Sequence, residues 1–277
     1  MKKVIITGGL GNQMFQYAFV LALRTKGINV KLDISYYDYW NKYNWKMHNG
    51  YELEKVFGIK ENCINKQGLH MKWLRILDHY DPLGIIKKDN LRYNKQFSDS
   101  LSLYYYGYWQ NEKYFANIKE DVHKTFTFQG IDNKNQNLAL LLQTCNSVSL
   151  HIRRGDYSQF GMTILNRDYY EKAIKYIENK IDDPYYFIFS DDINEAELLA
   201  SQMNIKHYKI IDHNKGEDSY KDMFLMSKCR HNIIANSTFS WWGAWLNTYQ
   251  ERIIIAPKIC DQKIFFFNPQ PEQWILF

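Results

Sequence analysis

The second half of the chain alternates strand-sized apolar runs with helical stretches, and this rhythm constrains the fold more than any other feature. The runs Val148–Ile152, Tyr185–Phe189, Lys206–Ile211, His231–Ala235 and Arg252–Ala256 have the length and the β-branched or aromatic content of strands. Between them, Tyr169–Asn179, Asn194–Met203, Ser219–Cys229 and Thr238–Tyr249 carry apolar residues at helical spacing, and Pro257 closes the series. Strands joined by helices run parallel, because a parallel pair needs a crossover. The pattern predicts an α/β fold with a doubly wound parallel sheet.

The first half opens with one βαβ unit: strand Lys3–Thr7, a glycine turn, helix Met14–Lys26 and strand Asn29–Asp33. From Ser35 to about Phe115 the rhythm dissolves into aromatic-rich sequence, with Tyr36, Tyr37, Tyr39, Trp40, Tyr43 and Trp45 in one cluster and Tyr104–Trp109 in another. Sugars present apolar C–H faces that stack on aromatic rings, so Tyr108 and Trp109 are candidates for a saccharide-binding wall. Core packing is the alternative for the same residues. The change of rhythm places a domain boundary between residues 145 and 146, giving domains 1–145 and 146–277.

With 45% hydrophobic residues the chain can build a core, which excludes wholesale disorder. The formal charge is only +5 and the basic residues are scattered, which argues against nucleic acid as the main ligand and leaves phosphate or a membrane surface as anionic partners. No apolar run approaches the roughly 18 residues of a spanning helix, and Gly8, Gly9 and Gly11 interrupt the opening before a signal-peptide core can form. A cytoplasmic protein, with at most peripheral contact at the inner face of the membrane, is expected. Cys63, Cys145, Cys229 and Cys260 form no C-x-x-C pair, so neither a disulfide framework nor a zinc site is indicated.

The sharpest motif is His151-Ile152-Arg153-Arg154-Gly155-Asp156-Tyr157. Along a strand, Val148, Leu150 and Ile152 would face one side while Ser149, His151 and Arg153 face the other, leaving Arg154 at the carboxyl end. Ligands of open α/β sheets bind at those ends, and an arginine fork suits a diphosphate. A structural pairing of Arg153 and Arg154 with Asp156 or another acid is the competing reading. Ahead of Trp241-Trp242-Gly243, Ser237 or Thr238 is a natural N-cap whose following N–H groups can hold an anion. Asp191 and Asp192 could mimic a metal-binding acid pair, but an acid opening the next helix accounts for them more simply. The turn Gly8-Gly9-Leu10-Gly11-Asn12-Gln13-Met14 has Met14 where a dinucleotide fingerprint wants glycine, although Asp33 stands near the position of its ribose-binding acid.

Four stretches in order resemble the bacterial α1,2-fucosyltransferases: Gly8–Ala18, Gly107–Phe115, His151–Tyr157 and Asn236–Gly243. The His-x-Arg-Arg-x-Asp motif is shared with α1,6- and protein O-fucosyltransferases and points to GDP-fucose, while the glycine-rich opening and the double tryptophan narrow the linkage to α1,2. The resemblance implies a GT-B fold, two Rossmann-like domains facing across a cleft, with the N-terminal one holding the acceptor and the C-terminal one GDP-fucose. It further implies that Arg154 binds the β-phosphate, that His151 and Asp222 address the guanosine, that Asn12 lies near the sugar and diphosphate, and that Thr238 and Ser240 add phosphate contacts. Arg153 and Ser237 complete the expected donor site, and Asp156 is the only acid inside the motif that could serve as base. Inverting transfer to the 2-hydroxyl of a galactoside, without metal or cofactor, is the activity implied. An NAD-dependent oxidoreductase and a nucleotide- or sugar-binding module without turnover are the rival readings.

Overall fold

The computed structural model describes residues 1–41, 48–66, 69–90, 92–155, 163–258, 260–261, 266–267 and 270–277. The chain divides into two compact units, Met1–Gln129 and Gly130–Phe277. The division falls ahead of helix α6 (Asn133–Thr144), which the sequence reading had placed in the first domain. Packing explains the difference. Leu138, Ala139 and Leu142 of α6 sit in one buried cluster with Phe187, Phe189 and Leu225 of the second unit.

In the first unit, β1 (Lys2–Ile5), α1 (Leu10–Thr25) and β2 (Val30–Asp33) form the expected βαβ opening. Three short helices follow among the described residues: α2 (Ser35–Asn41), α3 (Leu53–Phe57) and α4 (Leu69–His79). Two three-residue strands, β3 (Ile86–Lys88) and β4 (Tyr104–Tyr106), complete a parallel sheet of order β2-β1-β4-β3, and α5 (Lys119–Thr125) ends the unit. Helix α1 is buried along most of its length because aromatic side chains close around it: Phe19 stacks on Trp109 at 4.2 Å and meets Phe97, Tyr105 and Tyr114 at tilted or edge geometries. Much of the second aromatic cluster is therefore core.

The second unit is built from β5 (Ser147–Ile152), α7 (Arg167–Glu178), β6 (Tyr185–Ser190), α8 (Ile193–Gln202), β7 (Tyr208–Ile211), α9 (Tyr220–Lys228), β8 (His231–Ile233), α10 (Thr238–Trp245) and β9 (Ile254–Ala256). A two-stranded pair, β10 (Cys260–Asp261) with β11 (Phe266–Phe267), lies apart, and β12 (Ile275–Leu276) joins the main sheet at its edge. All neighbours in that sheet are parallel, in the order β12-β9-β8-β5-β6-β7. Every residue of β5 is buried, as a central strand covered on both faces requires. Val148, Leu150 and Ile152 pack with Tyr170, Ile174 and Ile177 of α7, and Phe187 and Phe189 of β6 face the opposite layer. Among the described residues no helix is long and apolar enough to cross a membrane.

Candidate functional site

Starting at β5, the chain lays down β6 and β7 on one side and then returns to lay down β8, β9 and β12 on the other. The order therefore reverses between β5 and β8, and the carboxyl ends of those strands form the switch point where doubly wound sheets bind ligands. The two motifs singled out in this half flank that point: His151–Gly155 runs off β5, and Asn236–Ser240 runs off β8 into α10.

The strand pairing sets the local geometry. Ile152 is in register with Ser190, so the next residues along, Arg153 and Asp191, come side by side. The Arg153 guanidinium lies 3.1 Å from one Asp191 oxygen, and the backbone N–H of Arg154 donates to the other at 2.9 Å. Gly155 is required by this close approach, since a Cβ there would lie 2.4 Å from Oδ2 of Asp191. The side chain of Arg154 donates to the carbonyl of Leu165 at 2.8 Å, and its Nε stands 3.8 Å from Glu195. Asp192 accepts the N–H of Glu195 as the N-cap of α8. The sequence reading assigned the acid pair to helix opening; that holds for Asp192, while Asp191 anchors the arginines. Asp156, the candidate base, lies outside the described residues.

His151 is 4% exposed at the end of β5, and its Nδ1 has no hydrogen-bond partner among the described residues. Burial, reinforced by the Arg153 charge, pushes its pKa down to about 3. The ring is neutral at physiological pH. A buried polar atom left unpaired costs stability, which makes Nδ1 a candidate contact for a ligand or water.

Across the switch point, Ser237 is the N-cap of α10 and accepts the N–H of Phe239 at 3.3 Å. Capping was one of the two predicted roles, and the helix N-terminus that follows can still receive an anion. Ser240 is buried and donates to the Ser237 carbonyl at 3.4 Å, whereas Thr238 keeps partial exposure.

Asp222, near the start of α9, belongs to a polar network that sequence reasoning did not find. Asn214 donates to its carboxylate at 2.8 Å, Asn214 and Asn135 exchange amide bonds at 3.0 Å in both directions, and Asn135 also bonds Asp132, the N-cap of α6. The residue as a whole retains some exposure, but its carboxyl group is enclosed. Desolvation, with Asp212 adding repulsion and the Asn214 bond opposing, raises its pKa to about 7. An ordinary first-turn acid would show no such shift. Asn214 is eight residues from Asp222 but 79 from Asn135, so only the packing of α6 onto α9 reveals the whole network.

In the first unit, the motif around Asn12 turns out to be chiefly a scaffold. Gly8 has φ +81°, and a Cβ there would meet the Asn12 side chain at 2.6 Å. Gln13, fully buried, donates to the carbonyls of Gly8 and Gly50 and accepts from the N–H of Glu52. Gln16 accepts from the Thr7 N–H and donates to the Gly107 carbonyl, each at 3.0 Å. Asn12 itself, in the first turn of α1, accepts from Gln110 at 2.8 Å. Tyr108 is half-buried beside this loop, whereas Trp109 is 2% exposed, stacked on Phe19 in the core. The indole is thus out of reach of a saccharide, and the core reading of Trp109 replaces the wall reading. Asp33 is fully buried with its carboxylate taken by His70 at 2.8 Å and by the Ser35 N–H at 3.1 Å. Its complete burial closes it to a ribose hydroxyl, which argues against the dinucleotide reading of the opening βαβ unit.

The family model described as Glycosyl transferase family 11 matches residues 1–272. This chain belongs to that family. It is 34% identical to an α-1,2-colitosyltransferase of Escherichia coli, over 98% of this chain and 96% of that one. It is also 34% identical to the O-antigen biosynthesis glycosyltransferase WbnK of Escherichia coli, over 91% and 92% of the two chains. Among solved structures, the fucosyltransferase NodZ from Bradyrhizobium superposes with a TM-score of 0.51 over 87% of this chain and 91% of that one, at 11% identity, a likeness of fold. The fold class predicted from sequence, α/β with Rossmann-like units of the GT-B type, is the one observed. The family 11 chain is a glycosyltransferase.

Proposed function

We propose that the family 11 enzyme transfers L-fucose from GDP-fucose to the 2-hydroxyl of a galactoside with inversion, the second unit reading the donor and the first the acceptor. The observation that carries the donor assignment is the convergence of Arg153, Arg154, His151 and the N-terminus of α10 at one switch point. Breaking the anomeric C–O bond leaves negative charge on GDP, and donors already aimed at that charge stabilise it without reorganising. Arg154 takes the β-phosphate, Arg153 supports it, and Ser237, Thr238 and Ser240 surround the phosphates at the helix start. His151, neutral, offers ring hydrogen bonding to the nucleoside, and Asp222 accepts from the guanine. Asn12 addresses the sugar and diphosphate, and Tyr108 supplies an apolar face to the acceptor.

The acceptor oxygen forms its bond to the anomeric carbon on the face opposite the leaving phosphate, and its proton passes to a base, for which Asp156 is the candidate. The location we propose for this reaction is the cytoplasm, with peripheral contact at the inner face of the membrane.

A second reading concerns the donor alone: a relative at 34% identity is named for colitose, which is fucose lacking the 3-hydroxyl. Incubation with GDP-fucose or GDP-colitose and a panel of galactosides, measuring GDP release, tests both. Turnover with GDP-fucose and an α1,2-linked product supports the proposal. Preference for GDP-colitose moves the donor assignment, and tight GDP binding with no turnover on any acceptor leaves a binding module in its place.

A further inference from the structure

Helix α4 is apolar on two faces, and packing explains only one of them. Met71, Leu74 and Leu77 are buried against Ile5, Ile86 and Tyr104. Ile76 projects from the other side, and Tyr80 and Leu83 extend that stripe past the helix end, the three being 63%, 71% and 82% exposed, while Trp73 flanks the stripe, 39% exposed with one side of its ring against Tyr104 at 5.7 Å. The stripe continues onto a neighbouring loop. Ser102 donates its hydroxyl to the Gly84 carbonyl at 2.7 Å, and the Leu103 N–H donates to Ile85 at 2.9 Å. These bonds set Leu101, 98% exposed, and Leu103, 50% exposed, beside Leu83. All of these loop residues precede β3 or β4, so the stripe follows the amino ends of the first sheet. Ligand sites of parallel sheets lie at the carboxyl ends, which separates this rim from the acceptor site.

Cations line the stripe. Lys72, Arg75 and Lys88 are exposed and Lys87 is half-buried. Asp78 pairs with Lys88 at 2.9 Å, so those two charges offset, and Asp81 and Asp99 keep their charge while accepting from Ile85, Ile86 and Ser98; Lys72, Arg75 and Lys87 carry the attraction to an anionic surface. We propose that this rim and the outer face of α4 dock on an anionic lipid bilayer, with the leucines and Ile76 entering the headgroup boundary. Trp73 and Tyr80 have the amphipathic rings that settle at that depth, and long basic side chains bury their stems while reaching lipid phosphates. A second copy of the chain is a poorer occupant, since a self-complementary contact on this strip would bring like cations together. The inference deepens the proposed location at the inner membrane face and is independent of the sugar donor.

The test is sedimentation of the full chain with phosphatidylcholine vesicles, with and without phosphatidylglycerol. Binding should require the anionic lipid and weaken at high salt. Leu83→Glu combined with Leu101→Glu, at positions too exposed to affect folding, should lower the partition coefficient at least about tenfold. Lys72→Glu should weaken binding on its own. Melting temperature and GDP release with a soluble galactoside should be unchanged in both variants. Failure of the donor assay alone would leave the vesicle result standing. The inference is overturned by equal binding to neutral vesicles, by binding that survives the double substitution, or by loss of melting temperature or of soluble-acceptor turnover in that variant. Light scattering that shows a wild-type dimer made monomeric by Leu83→Glu/Leu101→Glu would assign the rim to a second copy instead.

Discussion

Gly155→Ala probes whether the close approach of the β5 and β6 ends matters to the reaction. The added methyl would lie 2.4 Å from Oδ2 and 2.9 Å from Cγ of Asp191, well inside contact distance. Asp191 must then swing away and lose its hold on the Arg153 guanidinium and the Arg154 N–H. Hydrogen bonds to charged groups contribute about 1.5 to 3 kcal/mol each, but both side chains are nearly a quarter exposed, so screening reduces the sum. A net loss of about 2 kcal/mol corresponds to roughly a 30-fold fall in kcat/KM for the donor. The same contacts contribute to folding, but the core layers beneath β5 are untouched, so the fall in melting temperature should not exceed the few degrees that about 2 kcal/mol represents. GDP release under donor-limiting conditions reads the first quantity and calorimetry the second. Adding Asp191→Ala to Gly155→Ala should cost little more, because the two changes break the same contacts. Unaltered kcat/KM in the single variant would show that the arginines do not need this anchor.

Other substitutions separate scaffold from site. Gln16→Leu keeps the shape but strands the Thr7 N–H and the Gly107 carbonyl, and should cost about 2 to 6 kcal/mol of stability by urea denaturation; a loss below about 1 kcal/mol, less than one stranded buried group costs, would mean water replaces the amide. Trp109→Ala should destabilise by about 3 to 5 kcal/mol, whereas Tyr108→Ala should raise the acceptor KM with the fold intact; the reverse pattern would restore Trp109 to the acceptor wall. Asp222, lifted to about 7, is protonated below that pH and then accepts poorly from a base, so the donor KM should rise as pH falls through about 7 and Asp222→Asn should flatten the profile. A wild-type donor KM that is flat from pH 6 to 8, roughly one unit either side of that value, would remove Asp222 from the nucleoside site.

The parts of the fold that sequence made legible are those dictated by period. Long runs such as Val148–Ile152 and Tyr185–Phe189 can only be buried strands when helices separate them, and the doubly wound sheet with its switch point follows. Strands β3 and β4 have three residues each and no period to detect, and β12 is shorter still. Helix α6 was assigned to the wrong side of the boundary because its loyalty is decided by contacts with Phe187 and Leu225, distant in sequence. In the site, the strand-end arginines and the Ser237 cap were readable because both are local effects. The anchoring role of Asp191 would have been readable too, had the register of β5 on β6 been continued by one residue. Asn135 and Asn214 give no such signal, and Gln13 and Gln16 look like ligand-binding amides until their backbone partners are seen.

Arg154→Lys bears most directly on the central claim, that the carboxyl end of β5 stabilises the departing GDP. In the free enzyme the guanidinium is steadied by the Leu165 carbonyl and stands near Glu195, with its side chain 12% exposed. Lysine keeps the charge but loses the planar fork. The measurement is kcat/KM for GDP-fucose beside the melting temperature of the same variant. A donor role predicts a fall of at least about 100-fold with little change in melting. Near-normal kcat/KM with a sharply lowered melting temperature would contradict it and return Arg154 to the scaffold.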